Sequence, residues 1–253
     1  MAQMQVGAQL IIYGRRAQSD LPGVLAGLAA AGYDGFEGGL PSSQAEVDQV
    51  RAAAQKAGIT YAGGHGGLDD LKDLEGLKKR IPFVKALGGR FVISSGDSSL
   101  KSIDDYLAVA QVLNDAGRVC RDAGVTLCYH NHHWEFRKID GATPFYTMLA
   151  ATNPELVKLC TDVYWVHAGG EKPAEFIDCY RDRCLYFHFK DGTGGDGADD
   201  FRELGRGSVD LPAALEVARS CNPEWIVVEQ DTTKLDPTES CRISRDYLKV
   251  LGV

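Results

Sequence analysis

The sequence predicts an α/β fold, and within that class a closed (β/α)8 TIM barrel, from three observations. Short β-branched or aromatic runs alternate with amphipathic stretches along the whole chain, the pattern of strands alternating with helices. Eight such runs share 253 residues, which leaves about 32 per unit, a size this architecture uses. The joint before four of the runs reads Ala-Gly or Leu-Gly, and glycine just past a helix end is the usual stop. No linker or shift in composition interrupts the pattern, so residues 1–253 read as one barrel domain.

The elements follow in order. Residues 5–13 form the first strand, and Leu21, Val24, Leu25 and Leu28 behind Asp20 give a capped amphipathic helix. Ala31-Gly32, Ala57-Gly58, Leu87-Gly88 and Ala123-Gly124 then precede strands at 33–37, 59–63, 90–94 and 125–130. Ser102 with Asp105 opens the fourth helix as a capping box. The last strands are expected at 156–162, 185–190 and 225–229. Asp236-Pro237-Thr238-Glu239 starts the final helix: Asp accepts from the first turn and Pro occupies a position that needs no N–H. The stretch from Gly192 to Ser208, with six glycines, is longer than an ordinary βα connection and reads equally as a flexible flap or a solvated surface loop.

Composition narrows the function. Lys+Arg 27 against Asp+Glu 35 leaves a net charge of −8, and no basic run occurs, which opposes binding to nucleic acid or to an anionic membrane. A small neutral carbohydrate fits better. Met1 to Gly7 lacks the charged and apolar regions of an export signal, and seven cysteines without a CxxC pair suit a reducing cytoplasm, each read as a buried thiol. Assembly as a homo-oligomer is left open.

The chemistry lies at the strand ends, which in a barrel converge on one mouth. The second strand ends at Glu37, His65 follows the third, and the fifth ends at His130 with His132 beyond it. Asp162, His188 and Glu229 close the sixth to eighth, with Lys190 after His188. Burying His130, Asp162, His188 and Glu229 together without a partner would be costly, and one divalent cation removes that cost. Two imidazoles and two carboxylates accept Mn²⁺, Co²⁺, Mg²⁺ or Zn²⁺; Mn²⁺ is the expected ion. No phosphate-cradling loop is present, although Arg15, Arg16, Arg206 and Lys234 are cations that an anion could meet. Trp134, Tyr164 and Trp165 are placed to pack a sugar ring or the rim of the mouth.

Six motifs carry a resemblance: Gly-Phe-Glu-Gly-Gly (35–39), Tyr-His-Asn-His-His-Trp-Glu-Phe (129–136), Asp-Val-Tyr-Trp-Val-His-Ala-Gly-Gly (162–170), His-Phe-Lys-Asp (188–191), Leu-Gly-Arg-Gly (204–207) and Val-Glu-Gln-Asp (228–231). Through them the chain resembles, over essentially its whole length, the sugar phosphate isomerase/epimerase family with a xylose isomerase-like barrel. The resemblance implies metal ligation by His130, Asp162, His188 and Glu229, and a substrate pocket lined by Glu37, His65, His132 and Lys190; Trp165 and Arg206, which depart from the family's usual residues, are further candidates for substrate binding. It implies that Glu229, His132 and Lys190 handle protons. Ketose epimerases of the family carry Glu where this chain has His130, so the motif is more similar to the inosose dehydratase and keto-glycoside lyase branch. The implied step is removal of a proton next to a sugar carbonyl, leading to isomerisation, epimerisation or β-elimination. His130 is expected to be a ligand and not the base, because coordination commits the imidazole lone pair. Two other readings stand beside this one: a metal-dependent phosphodiester hydrolase of the apurinic endonuclease type, and a sugar-binding subunit without turnover.

Overall fold

A computed structural model describes residues 4–253. Eight parallel strands close in the order β1, β10, β7, β6, β5, β4, β3, β2: β1 (Gln5–Gln9), β2 (Gly35–Gly39), β3 (Thr60–Gly66), β4 (Phe91–Ser95), β5 (Thr126–His130), β6 (Val157–Asp162), β7 (Cys184–Phe189) and β10 (Trp225–Val228). Between β7 and β10 lie two short antiparallel strands, β8 (Asp191–Gly192) and β9 (Phe201–Arg202). Helices follow the barrel strands, from Leu21–Ala31 to Pro237–Val250, and give the expected TIM barrel.

Local chemistry sets the joints. Gly32, Gly58, Gly88 and Gly124 all have φ between 72° and 93°, the left-handed region that ends a helix and that a side chain would strain. Asp20 accepts from Gly23 N at 3.1 Å, and Asp236 from Thr238 N at 2.9 Å. Ser102 and Asp105 exchange backbone contacts at 3.2 and 2.9 Å.

Two layers of apolar packing hold the barrel. Leu25, Leu28, Val84, Leu113 and Leu215 seal the helices against the outer strand faces. Inside, Phe91, Ile93, Cys128, Cys160, Tyr186, Trp225 and Val227 fill the lower lumen. Gly35 makes room there, since a Cβ on it would meet the Trp225 ring and the Thr60 carbonyl. Filling the floor this way leaves polar strand ends only at the other mouth.

Three expectations are corrected. The first strand stops at Gln9 and residues Leu10–Tyr13 form a 3-10 turn, because the Gln9 side chain accepts from Ile11 N and caps it. The segment after β7 is neither a free flap nor simply a solvated loop. Asp200 accepts from Thr193 Oγ1 and Gly197 N, Gly195 O accepts from the Tyr164 hydroxyl at 2.6 Å, and Phe201 is buried. The seven thiols are all unpaired, but Cys179 is exposed and Cys221 half-buried. Among the described residues no helix is long and apolar enough to cross a membrane.

Candidate metal centre and cavity

Parallel pairing aligns the chemistry. His130 ends β5 beside Cys160, and Asp162 ends β6 beside His188. Glu229 follows β10, its N–H donating to Phe189 O at 3.0 Å. Period-two alternation turns these side chains inward just above the apolar floor. One ligand atom from each of His130, Asp162, His188 and Glu229 lies within 4.8 Å of the others, and all four residues are buried.

The partners of these atoms reveal what the cluster lacks. Both ring nitrogens of His130, Asp162 Oδ2 and His188 Nδ1 are buried without a hydrogen bond. His130 Nε2 and Asp162 Oδ2 face each other at 3.7 Å, and His188 Nδ1 lies 2.6 Å from Glu229 Oε2 without hydrogen-bonding geometry. Such orphaned groups are rare, because each forfeits its hydration. Burial pushes Asp162 up from the usual carboxylate range and drives His130 well below the usual imidazole value. A neutral imidazole and two carboxylates that need positive charge are donors suited to a divalent cation, and two nitrogens with two oxygens leave coordination positions open. A second set, His130, Cys160 and His188, lies on the same strands with the thiol one layer deeper.

Supporting residues orient the donors. Asp162 Oδ1 accepts from Trp165 N at 2.9 Å and caps the helix Val163–Ala168, so only Oδ2 points into the cluster. Asn131 bridges to the Asp162 backbone at 3.0 and 3.2 Å. Glu37, expected to touch substrate, is fully buried with both oxygens in use: Oε2 meets His188 Nε2 at 2.8 Å and Oε1 meets His65 Nδ1 at 2.9 Å. Burial alone would raise its carboxyl, but the contacts with His188 and His65 hold it at about 2. Glu37 therefore makes Nε2 the protonated nitrogen of His188 and leaves Nδ1 for a metal.

Lys190 is wholly buried. Its ammonium contacts Asp231, stands 3.4 Å from Glu229 Oε1, and lies 4.2 Å from the Trp165 ring centre and 4.5 Å from that of Phe201. Burial opposes its charge, yet Glu229, Asp162 and Asp231 outweigh that and raise its pKa. Both carboxylates it touches line the cavity above the centre. His132 is sandwiched between His130 and Trp134, with ring centroids 4.7 and 4.1 Å away, and burial lowers its pKa to about 3.

That cavity measures about 650 Å³. Of the expected site residues His65, His130, His132 and Glu229 line it, while Asp162, His188 and Glu37 sit immediately beneath. Lys190 and Trp165, expected at the site, are buried against one another beside this lining. Arg206, also expected there, is exposed and paired with Glu203 at 3.4 Å. Sequence reasoning did not assign Asp231, Ser95 or Gln9, all of which line the cavity. Asp231 had a signal, since it stands two residues past Glu229 in the Val-Glu-Gln-Asp motif.

The family model for the xylose isomerase-like TIM barrel matches residues 25–251. The chain belongs to that family. An inosose dehydratase of Mesomycoplasma hyopneumoniae is 25% identical over 264 residues, covering 88% of this chain and 86% of the relative. Among solved structures, a sugar phosphate isomerase/epimerase from Parabacteroides distasonis superposes with a TM-score of 0.85 at 19% identity, over 98% of each chain. A 3-keto-D-glucoside 4-epimerase from E. coli superposes with a TM-score of 0.71 at 19% identity, over 98% of this chain and 100% of that one. Within the xylose isomerase-like barrel, the structural likenesses establish the fold, and the site above supplies the chemistry.

Proposed function

We propose that this chain is a divalent-metal-dependent enzyme, with Mn²⁺ as the preferred ion, that removes the proton next to the carbonyl of a sugar, keto-sugar, keto-glycoside or inosose. Return of the proton gives isomerisation or epimerisation; loss of a neighbouring oxygen substituent gives β-elimination. The observation that carries the reading is the set of orphaned donors on His130, Asp162 and His188, gathered with Glu229 under a cavity whose wall offers the carboxylates of Glu229 and Asp231. The relative named inosose dehydratase supports elimination as one outcome.

A bound divalent ion would supply Lewis acidity toward the carbonyl oxygen, worth several kcal/mol of charge stabilisation. The remaining work falls to this chain's side chains. Glu229 keeps Oε1 free of the His188 contact, 3.4 Å from Lys190, and that oxygen takes the proton. Burial opposes ionisation of Glu229, but the Lys190 ammonium beside it favours the carboxylate, the form that can accept a proton. Lys190 positions Glu229 and Asp231 from behind. His65, whose Nδ1 is engaged by Glu37, lines the cavity and returns a proton or delivers one to a departing hydroxyl; His132, which burial keeps neutral, lines it too and can only accept one. Seven unpaired thiols support a reducing, cytoplasmic setting.

Solvent exchange tests the reading. Incubated in D₂O with Mn²⁺ and 2-keto-myo-inositol or 3-keto-D-glucose, the protein should place one deuterium next to the carbonyl or form the dehydrated product. Absence of exchange and product with Mn²⁺, Co²⁺, Mg²⁺ and Zn²⁺ alike would discard it.

A further inference from the structure

The metal centre has a soft side that the proton chemistry does not use. Cys160 stands two residues before Asp162 on β6, so its side chain turns inward as that of Asp162 does, one layer nearer the apolar floor. Parallel pairing sets it beside His130 of β5, while Asp162 above it pairs with His188 of β7. One ligand atom from each of His130, Cys160 and His188 lies within 4.8 Å of the others, and all three residues are buried. The two donor sets therefore overlap. Both contain the same pair of imidazoles, and they differ in adding two carboxylates or one thiol.

The other buried thiols lack this company. Cys184 is engaged by the Thr161 hydroxyl, which donates to its sulfur at 3.2 Å. Cys128 pairs in register with Lys158, and Cys120 and Cys241 lie on the helices Ile103–Asp122 and Pro237–Val250. Among the described residues Cys160 alone of the seven cysteines belongs to a group of three donors.

The two shared imidazoles are held differently. Glu37 fixes His188 through Nε2 at 2.8 Å, the outer anchor that a ligating histidine ordinarily has. His130 has no such anchor. Neither of its nitrogens has a hydrogen-bond partner, and its ring is bounded by those of His188 and His132, with centroids 4.6 and 4.7 Å away. Its donors are thus uncommitted to either set. Softness then decides between them, since carboxylates suit Mn²⁺ and Mg²⁺ whereas a thiolate selects thiophilic ions.

Resting on the metal centre of the proposed function, we infer that His130, Cys160 and His188 form a second metal position, for thiophilic cations such as Cd²⁺. It shares both imidazoles with the Mn²⁺ position and excludes Mn²⁺ when filled. On binding, the Cys160 S–H bond gives way to a metal–sulfur bond and the proton leaves to solvent. Cys160 does not line the cavity, so an ion drawn to it withdraws from the substrate carbonyl and blocks the reaction.

Titrations of the metal-free full chain with Cd²⁺ and Mn²⁺ test this, in a Cys179→Ser, Cys221→Ser background that removes the two thiols not fully buried. Cadmium bound to a thiolate shows an ultraviolet charge-transfer band that cadmium on imidazole and carboxylate lacks. One equivalent of Cd²⁺ should raise that band and release bound Mn²⁺ one for one, read by the paramagnetic resonance of the free ion. Adding Cys160→Ala should abolish the band, weaken Cd²⁺ binding about tenfold or more, and leave Mn²⁺ affinity within about twofold. Cys160→Ser, which nearly keeps the side-chain volume, should do the same, so a packing defect in the alanine variant does not decide the result. Absence of the band before Cys160 is changed, Mn²⁺ retained beside Cd²⁺, or equal loss of both ions in the serine variant overturns the inference. Mn²⁺ binding without the band removes the thiophilic position and leaves the proposed function standing; the band without any Mn²⁺ binding does the reverse.

Discussion

Asp162, the last residue of β6, and Asp191, two residues past the end of neighbouring β7, are both buried carboxylates, yet their surroundings are opposite. Asp191 is saturated: Oδ1 accepts from Gly192 N and Val209 N at 2.9 and 3.2 Å, and Oδ2 from Gly205 N and Gly207 N at 2.9 and 3.0 Å. Asp162 has one oxygen on Trp165 N and the other without a partner. A carboxylate that collects four backbone donors builds a loop, and here it folds the Leu-Gly-Arg-Gly segment back on β8. A carboxylate left half-bare beside a bare imidazole is held for something else. Satisfaction, and not burial or position in the motif, separates architecture from chemistry at this mouth.

Substitutions should divide along the same line. The largest effect on stability is expected for Asp191→Ala, which strands four N–H groups; a loss of about 3–5 kcal/mol follows from the usual penalties and should appear as a lower midpoint in urea. Asp162→Asn keeps the shape and the Trp165 cap through its amide oxygen, so metal-free stability should change by less than about 1 kcal/mol, while Mn²⁺ affinity collapses. Comparable destabilisation by the two substitutions would erase the distinction.

Glu37→Gln sharpens it one step further out. The amide retains the shape but not the charge that fixes the His188 tautomer, and loss of such an outer partner typically weakens metal binding about 10–100-fold. Calorimetry with Mn²⁺ should find a weaker site in a protein that melts normally; an unchanged affinity would return Glu37 to a purely structural role.

A pH-dependent effect concerns Glu135, fully buried with its oxygens on the Tyr129 hydroxyl and, at 3.2 Å, on His132 N. Burial, partly offset by those two hydrogen bonds, raises its pKa to about 8. The folded protein holds this proton where the unfolded chain, with an ordinary glutamate pKa, releases it. The stabilisation is therefore complete below the unfolded value and is lost as pH rises towards 8. Glu135→Gln is neutral at every pH, so its melting temperature should gain steadily on that of the wild type between pH 5 and 8. A difference that stays flat across that range would show that Glu135 is ionised in the fold.

The barrel was legible because its signals are local. Glycine stops at 32, 58, 88 and 124, caps at Asp20, Ser102 and Asp236, and runs of the right length need no partner to act. Strand ends also exposed the ligand set, since alternation tells which side chains point inward. Partnership was not legible. Glu37 looks like a substrate contact until His188 and His65 are found on its two oxygens, 151 and 28 residues away in the chain. Arg206 sits in a motif beside the mouth, but Glu203, three residues back, takes its charge. The run Leu10–Tyr13 is apolar enough for either strand or turn, and the Gln9 side chain decides for the turn. The region after β7 is ordered by Asp191 and Tyr164, which composition alone does not reveal.

Calorimetric titration of Mn²⁺ into metal-free wild-type protein, His130→Ala and Asp162→Asn tests the central claim most directly. The account predicts one ion per wild-type chain, a markedly weaker site in both variants, and preserved folding by circular dichroism. Absence of a stoichiometric site in the wild type, or equal affinity in all three proteins, would contradict it.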